Sequence, residues 1–336
     1  MNRWLRGVLP GRGYGHRGPP SDHFDGRRFF NPEPIVHERG DLWRWLRERD
    51  RGTWTCPERF VPPPPPPARV THGLRVTWIN HATVLIQSAA GNVLTDPVFS
   101  ERVSPLPWLG PRRHHPPGVA FDDLPPIDTV LISHSHYDHL DRATITRLAK
   151  HHGPLFVAGL GLDRWLRGAG ARRVVVADWW DRIQTNTGSA LTVAPARHWS
   201  RRGVFDRNRT LWVSYWIETP AGAVYFAGDT GMGEHFRHIR QRLGAPRIAL
   251  LPIGAYEPRW FMAQQHMNPA DAVRAHQCLE AVHSLGIHFA TFKLTDEART
   301  APADELAQAC ARAGLSAKDF RAPAFGGAYC FDPDWS

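Results

Sequence analysis

Ser133-His134-Ser135-His136-Tyr137-Asp138-His139-Leu140-Asp141 places three imidazoles and a carboxylate within the span 134–139. It follows directly on Asp128-Thr129-Val130-Leu131-Ile132, an apolar, β-branched run bounded upstream by Pro125-Pro126, and that pattern predicts a buried strand. Ala143 to Lys150 predicts the helix that comes next. The cluster therefore sits at the C-terminal end of a strand, where α/β architectures place their chemistry. Neutral imidazole and carboxylate are the ligands that suit zinc and similar divalent ions. In an extended or tightly turned segment His134 and His136 point the same way, while Asp138 and His139 are offered to a second ion nearby. One or two histidines would read as a solvated turn. H-x-H-x-D-H behind a strand reads as a metal site.

The rest of the composition bounds what surrounds that site. The chain has 336 residues, 42% of them hydrophobic, with 14 tryptophans, enough for one large domain or two modest ones with a sizeable core. Its formal charge of +9 is partly local: residues 1–30 hold six arginines against two aspartates. No Lys/Arg run interleaved with aromatics and no nucleic-acid module is present, so nucleic acid is not an expected partner. Weak attraction to anionic lipid fits the charge at least as well. The four cysteines (56, 278, 310, 330) are scattered, which excludes a disulfide framework and a cysteine zinc knot and suits a reducing compartment. No apolar run has the length of a transmembrane helix and no signal peptide is evident. The expectation is a cytoplasmic protein, soluble or peripherally attached to the inner face of the membrane.

Residues 1–67 read as a basic, Pro/Gly-rich N-terminal arm closed by a polyproline linker, Pro62 to Pro67, and residues 68–336 as the catalytic domain. Residues 1–26 lack periodicity and are expected to be disordered or loosely draped. One short helix is predicted at Asp41–Arg47, whose Trp and Leu residues share a face. That face suits packing on the domain's own surface or lying on a membrane. The domain opens with a β-meander over Arg75–Ile79, Thr83–Gln87 and Val93–Pro97. Further strands are expected at Leu155–Ala158, Arg173–Ala177, Ala190–Ala194, Leu211–Ile217, Ala223–Ala227 and Ile248–Ile253. A short helix is expected near Leu162–Arg167. Asn268-Pro269-Ala270-Asp271 predicts a capped helix running to about His283, and Ala303–Arg312 a second, ended by Gly314. Many strands first, with helices interspersed and late, means α/β with more than one sheet layer.

Other candidate ligands stand at predicted strand ends: His198 after Leu191–Arg197, Asp229 in the turn Gly228-Asp229-Thr230-Gly231, and His288 in Leu285-Gly286-Ile287-His288-Phe289. Singly each is ordinary. In that order after H-x-H-x-D-H they resemble the metallo-β-lactamase superfamily. Leu251-Pro252-Ile253-Gly254-Ala255-Tyr256-Glu257-Pro258-Arg259-Trp260-Phe261-Met262 narrows the likeness further, with Gln265-His266-Met267-Asn268-Pro269 just after it. So do Trp78-Ile79-Asn80-His81-Ala82-Thr83, Leu94-Thr95-Asp96-Pro97-Val98-Phe99 and Ala196-Arg197-His198-Trp199. Together these resemble the N-acylphosphatidylethanolamine-hydrolysing phospholipase D family and its bacterial relatives, from about Phe29 to the C-terminus. Asn80 departs from the pattern, since relatives carry Gly before His-Ala-Thr.

The resemblance implies an αββα sandwich of two face-to-face β-sheets flanked by helices, with the site at one edge. It implies one metal position formed by His134, His136 and His198, a second by Asp138, His139 and His288, and Asp229 bridging them. Two Zn2+ ions are the expected occupants, with Fe or Mn compatible with the same ligands. A metal-bridging hydroxide would be the nucleophile, so Asp138 and Asp229 serve catalysis as ligands. His266 is expected either to donate to a phosphoryl oxygen or leaving alkoxide, or to support a ligand structurally. Asp141 is expected to orient a ligand imidazole. The implied activity is hydrolysis of N-acylphosphatidylethanolamine to N-acylethanolamine and phosphatidic acid. The alternative is a metal-dependent lactonase or small-molecule phosphodiesterase using the same site. A purely structural metal and an RNA nuclease fit less well. Family members are often homodimers.

Overall fold

The computed structural model describes residues 14–36, 38, 40–50, 52–55, 60–106 and 108–331. Among these residues two seven-stranded sheets lie face to face with helices outside, the expected αββα sandwich. After α1 (Asp41–Glu48), the first half builds β1 (Leu74–Asn80), β2 (Thr83–Ser88), β3 (Gly91–Thr95), β4 (Thr129–Ile132), β5 (Leu155–Gly159) and β6 (Arg173–Ala177), with α2 (Arg142–His151) and α3 (Asp163–Gly168) as crossovers. The second half builds β7 (Arg182–Gln184), β8 (Ala190–Ala194), β9 (Ser214–Glu218), β10 (Val224–Phe226), α4 (His235–Leu243), β11 (Ile248–Pro252), α5 (Arg259–Met262), α6 (Pro269–Leu279), β12 (His283–Ile287), α7 (Ala301–Arg312) and β13 (Phe320–Arg321). A last strand, β14 (Ala328–Phe331), returns to pair with β1.

The two sheets repeat one plan. Sheet one runs β14-β1-β2-β3-β4-β5-β6 and sheet two runs β13-β12-β11-β10-β9-β8-β7. In the first, the pairs up to β3 are antiparallel and those from β3 to β6 parallel. In the second, the pairs from β7 to β10 are antiparallel and those from β10 to β13 parallel. Strands of such a sandwich are covered on both faces and read as continuous apolar runs. On β4, Leu131 joins the core between the sheets while Val130 and Ile132 pack under α2 and α3. On β5, Val157 faces inward and Phe156 and Ala158 outward.

Two expectations change here. The helix from Asn268 has its capping box, with the Asn268 and Asp271 side chains exchanging bonds with each other's backbone, but it stops at Leu279. Glu280 takes a left-handed conformation (φ 50°) that ends the helix, and His283–Ile287 forms β12 between β11 and β13. Residues 14–26, expected to be loose, are pinned to the domain. Phe24 and Phe29, each 2% exposed, enter the inter-sheet core, and the His16 amide donates to the Arg209 carbonyl at 2.8 Å. Residues 1–13 lie outside the described residues. Helix α1 buries none of its residues. No helix among the described residues is long and apolar enough to cross a membrane.

Candidate metal centre

The candidate ligands converge because both sheets end their strands on one edge. β4 delivers His134, His136, Asp138 and His139; β8 leads to His198, β10 to Asp229 and β12 to His288. The loop after β4 is wound tightly, with the Leu140 amide donating to the His136 carbonyl at 2.9 Å. Arg202 reaches across from the β8–β9 connection and donates to the carbonyls of Ser135 (2.9 Å) and Leu140 (2.7 Å), holding both ends of that loop. Gly228, at φ 60°, sits where a Cβ would meet the Ser133 side chain at 2.6 Å; only glycine lets Asp229 enter here.

His134 Nε2 lies 2.7 Å from His136 Nδ1, which is 3.3 Å from His198 Nε2. Beside this group, Asp138 Oδ2 lies 3.4 Å from both His139 Nε2 and His288 Nε2. Asp229 Oδ2 stands between the groups, 3.3 Å from His139, 3.2 Å from His288, 3.8 Å from His198 and 4.0 Å from His134. His266 approaches from the loop before α6, its Nδ1 3.9 Å from the same oxygen. The seven expected ligands and His266 are therefore in one cluster.

Burial holds His134 and His198 well below the ordinary imidazole range and His136 down to about 4, so these three present lone pairs. Burial also opposes charge on His139 and His288, yet the facing carboxylates win: His139 is raised well above its usual value and His288 is pushed up to about 9. Asp138 and Asp229 pay the same burial penalty and are nonetheless held well below the carboxylate range, chiefly by His139. The pocket thus favours positive charge at one point between two carboxylates. His139 Nε2, His288 Nε2 and Asp229 Oδ1 are buried without a hydrogen-bond partner among the described residues. Each such orphan costs about 1–3 kcal/mol. Divalent cations would satisfy such groups, and the His/Asp donor sets fit them.

Asp141 does not orient an imidazole. Its carboxylate accepts from the Ala143 amide and the Thr144 hydroxyl, capping α2, and from the Ser100 amide at 3.0 Å. The orienting carboxylate is Asp96, at the end of β3. It is fully buried, accepts from His139 Nδ1 at 2.6 Å and from the Ser133 amide at 2.7 Å, and takes φ 32°. Its position in Leu94-Thr95-Asp96-Pro97, a carboxylate directly behind an apolar strand, was the available signal. Asn31 was equally unannounced. Its side chain donates to the His198 carbonyl at 2.8 Å and accepts from the His198 amide at 3.2 Å, so the N-terminal segment braces a candidate ligand.

With this geometry in view, the comparisons place the chain. The beta-lactamase superfamily domain family matches residues 91–289. N-acyl-phosphatidylethanolamine-hydrolyzing phospholipase D 1 of Caenorhabditis elegans is 37% identical over 245 residues, covering 70% of this chain and 69% of the relative. The mitochondrial N-acyl-phosphatidylethanolamine-hydrolyzing phospholipase D of Saccharomyces cerevisiae is 30% identical over 262 residues, covering 76% of this chain but 56% of the yeast protein. Among solved structures, a metallo hydrolase of Ignicoccus hospitalis superposes with a TM-score of 0.60 at 21% identity, covering 77% of this chain and 98% of that one. The chain belongs to the metallo-β-lactamase superfamily. Its His/Asp clusters and its relatives make it a metal-dependent hydrolase.

Proposed function

We propose that this chain hydrolyses N-acylphosphatidylethanolamine-type phospholipids to N-acylethanolamine and phosphatidic acid, using two zinc ions held by the seven residues above. The observation that carries the proposal is Asp229 Oδ2 set between two imidazole groups, within 4.0 Å of nitrogens from His134, His139, His198 and His288. Divalent ions bound there would supply a nucleophile from water at neutral pH and neutralise charge on a phosphoryl group. The protein's part is positional. His134, His136 and His198 would hold one ion, Asp138, His139 and His288 the other, and Asp229 both. His266 Nδ1 is unpartnered and faces the same space, so its ring can donate to a phosphoryl oxygen or to the leaving oxygen. No serine or cysteine nucleophile is required. The names of the worm and yeast relatives support the lipid substrate.

An exposed apolar surface supports lipid access. Leu42, Trp43 and Leu46 of α1 are exposed, and Trp260 of α5 lies under Arg44, whose guanidinium is 4.4 Å from the indole. α5 leads directly into the His266 loop, so a bilayer met by α1 and Trp260 would present lipid beside the site. The test compares zinc-loaded wild type with His134→Ala on N-acylphosphatidylethanolamine, a lactone panel and small phosphodiesters. Release of N-acylethanolamine by wild type and not by the variant is expected. Turnover confined to lactones or small phosphodiesters would replace the lipid reading with one of those.

A further inference from the structure

The repeated plan of the two sheets makes residues of one half topological counterparts of residues in the other. β3 and β10 each stand where antiparallel pairing gives way to parallel, and each leads to an aspartate, Asp96 and Asp229. β1 and β8 hold matching places two strands further out, and each leads to a histidine, His81 and His198. Asp229 and His198 are candidate ligands, and Asp96 carries His139. His81 is the member of this set without a role so far, yet it is 1% exposed and reaches the same cluster.

Its contacts are specific. His81 Nε2 lies 3.0 Å from Asp138 Oδ2, the oxygen that faces both His139 Nε2 and His288 Nε2. The His81 carbonyl accepts the backbone N–H of His288 at 2.8 Å and the indole N–H of Trp78, also at 2.8 Å. Its own amide donates to Thr291 Oγ1 at 2.9 Å, and its ring packs 4.0 Å from that of His288. His81 has φ 44° and His288 φ 62°, both left-handed conformations that a non-glycine residue adopts only where its surroundings enforce them. Side chain and main chain of one residue thus reach two of the three candidate ligands of one metal position.

We infer that His81 is the positioning residue of the Asp138–His139–His288 position: its Nε2–H fixes the Asp138 carboxylate while its carbonyl fixes His288. The inference rests on the reading of those three residues as metal ligands, and it is independent of which substrate is hydrolysed. A carboxylate on a tight loop has several rotamers within reach. A hydrogen bond from the ring of a buried residue whose main chain is held at both its amide and its carbonyl selects the one that aims Oδ2 between His139 and His288.

Two substitutions separate hydrogen bonding from coordination and from folding. His81→Asn tolerates the left-handed backbone but withdraws the donor, because its amide ends where Nδ1 was. His81→Gln returns an N–H close to the Nε2 position. Zinc content is measured after dialysis against a graded chelator buffer, the visible spectrum is taken with Co2+ in place of zinc, and melting is followed on metal-free protein. Wild type and His81→Gln should bind two ions per chain. His81→Asn should keep the first and bind the second about 10–100-fold more weakly, losing one set of Co2+ bands, with metal-free melting unchanged. An Asn variant that binds the second ion like wild type would overturn the inference. So would a Gln variant as deficient as Asn, which would make the ring nitrogen itself a ligand, or a wild type that binds one ion only. An Asn variant whose metal-free form melts well below metal-free wild type would assign His81 to the fold instead. Substrate enters none of these readings, so they stand or fall apart from the lipid assay.

Discussion

At the residue scale the centre is a set of side chains aimed at one place by the groups behind them, the Asp96 carboxylate for His139 and the Gln265 carbonyl for His198. Asp96 shows how tightly this is done: one oxygen takes the Ser133 amide and the other takes His139 Nδ1 and the Ser133 hydroxyl. Asp96→Asn keeps the shape but replaces one acceptor with a donor, so His139 loses its anchor or Ser133 does. Zinc affinity should fall about 10–100-fold, read by chelator competition, with the fold retained by circular dichroism. The His-rich loop itself was legible in the sequence because its ligands are neighbours. Asp96 and His81 were quoted within motifs and given no role, since each acts on a residue some 40 to 60 positions away. A single sequence can mark Asp96 as a carboxylate behind a strand, but not the distant residue that it or His81 holds. Asp141 shows the converse: an acid close to the ligands in sequence went to the nearest unsatisfied helix end instead.

At the element scale the N-terminal segment has two kinds of apolar residue, and they should behave oppositely. Phe29 is in the core, 4.6 Å from Phe24 between ring centroids, whereas Trp43 on α1 is 75% exposed. Phe29→Ala should cost about 3–5 kcal/mol by urea unfolding, while Trp43→Ala should change stability by about 0.5 kcal/mol or less. If α1 meets lipid, Trp43→Ala should instead weaken sedimentation with anionic vesicles. Strands β1, β2, β5, β6, β8 and β11 fall within a residue or two of where apolar runs placed them. β7, β13 and β14 went unseen because short edge strands carry little pattern, and only the end of β12 is legible because the residues up to His283 read as the helix before it. The docking of residues 14–36 was hidden for a related reason: a few aromatic anchors among Gly, Pro and Arg have no period to detect.

At the scale of the whole molecule, the core between and behind the sheets is apolar and owes nothing to the ligands. Stripping the metal should therefore leave the chain folded, with native far-ultraviolet dichroism and a lower melting temperature set by lost binding energy. Acid should weaken the fold through buried histidines remote from the centre. His276, whose Nδ1 is 2.8 Å from Ser284 Oγ, is driven below its ordinary value by burial. Below a pH of about 6.5 the unfolded chain binds a proton there that the folded chain refuses, so stability falls as pH drops, by up to about 1.4 kcal/mol per unit for the one group. His276→Asn should flatten that part of the pH–stability curve. The central claim, that this edge of the sandwich delivers water to the phosphorus of an N-acylated phospholipid, is tested most directly by turnover of N-acylphosphatidylethanolamine in 18O-labelled water with mass spectrometry of the products. N-acylethanolamine without label and phosphatidic acid carrying one 18O is the predicted result. Intact lipid from fully metallated protein, or label in a released fatty acid, would contradict it.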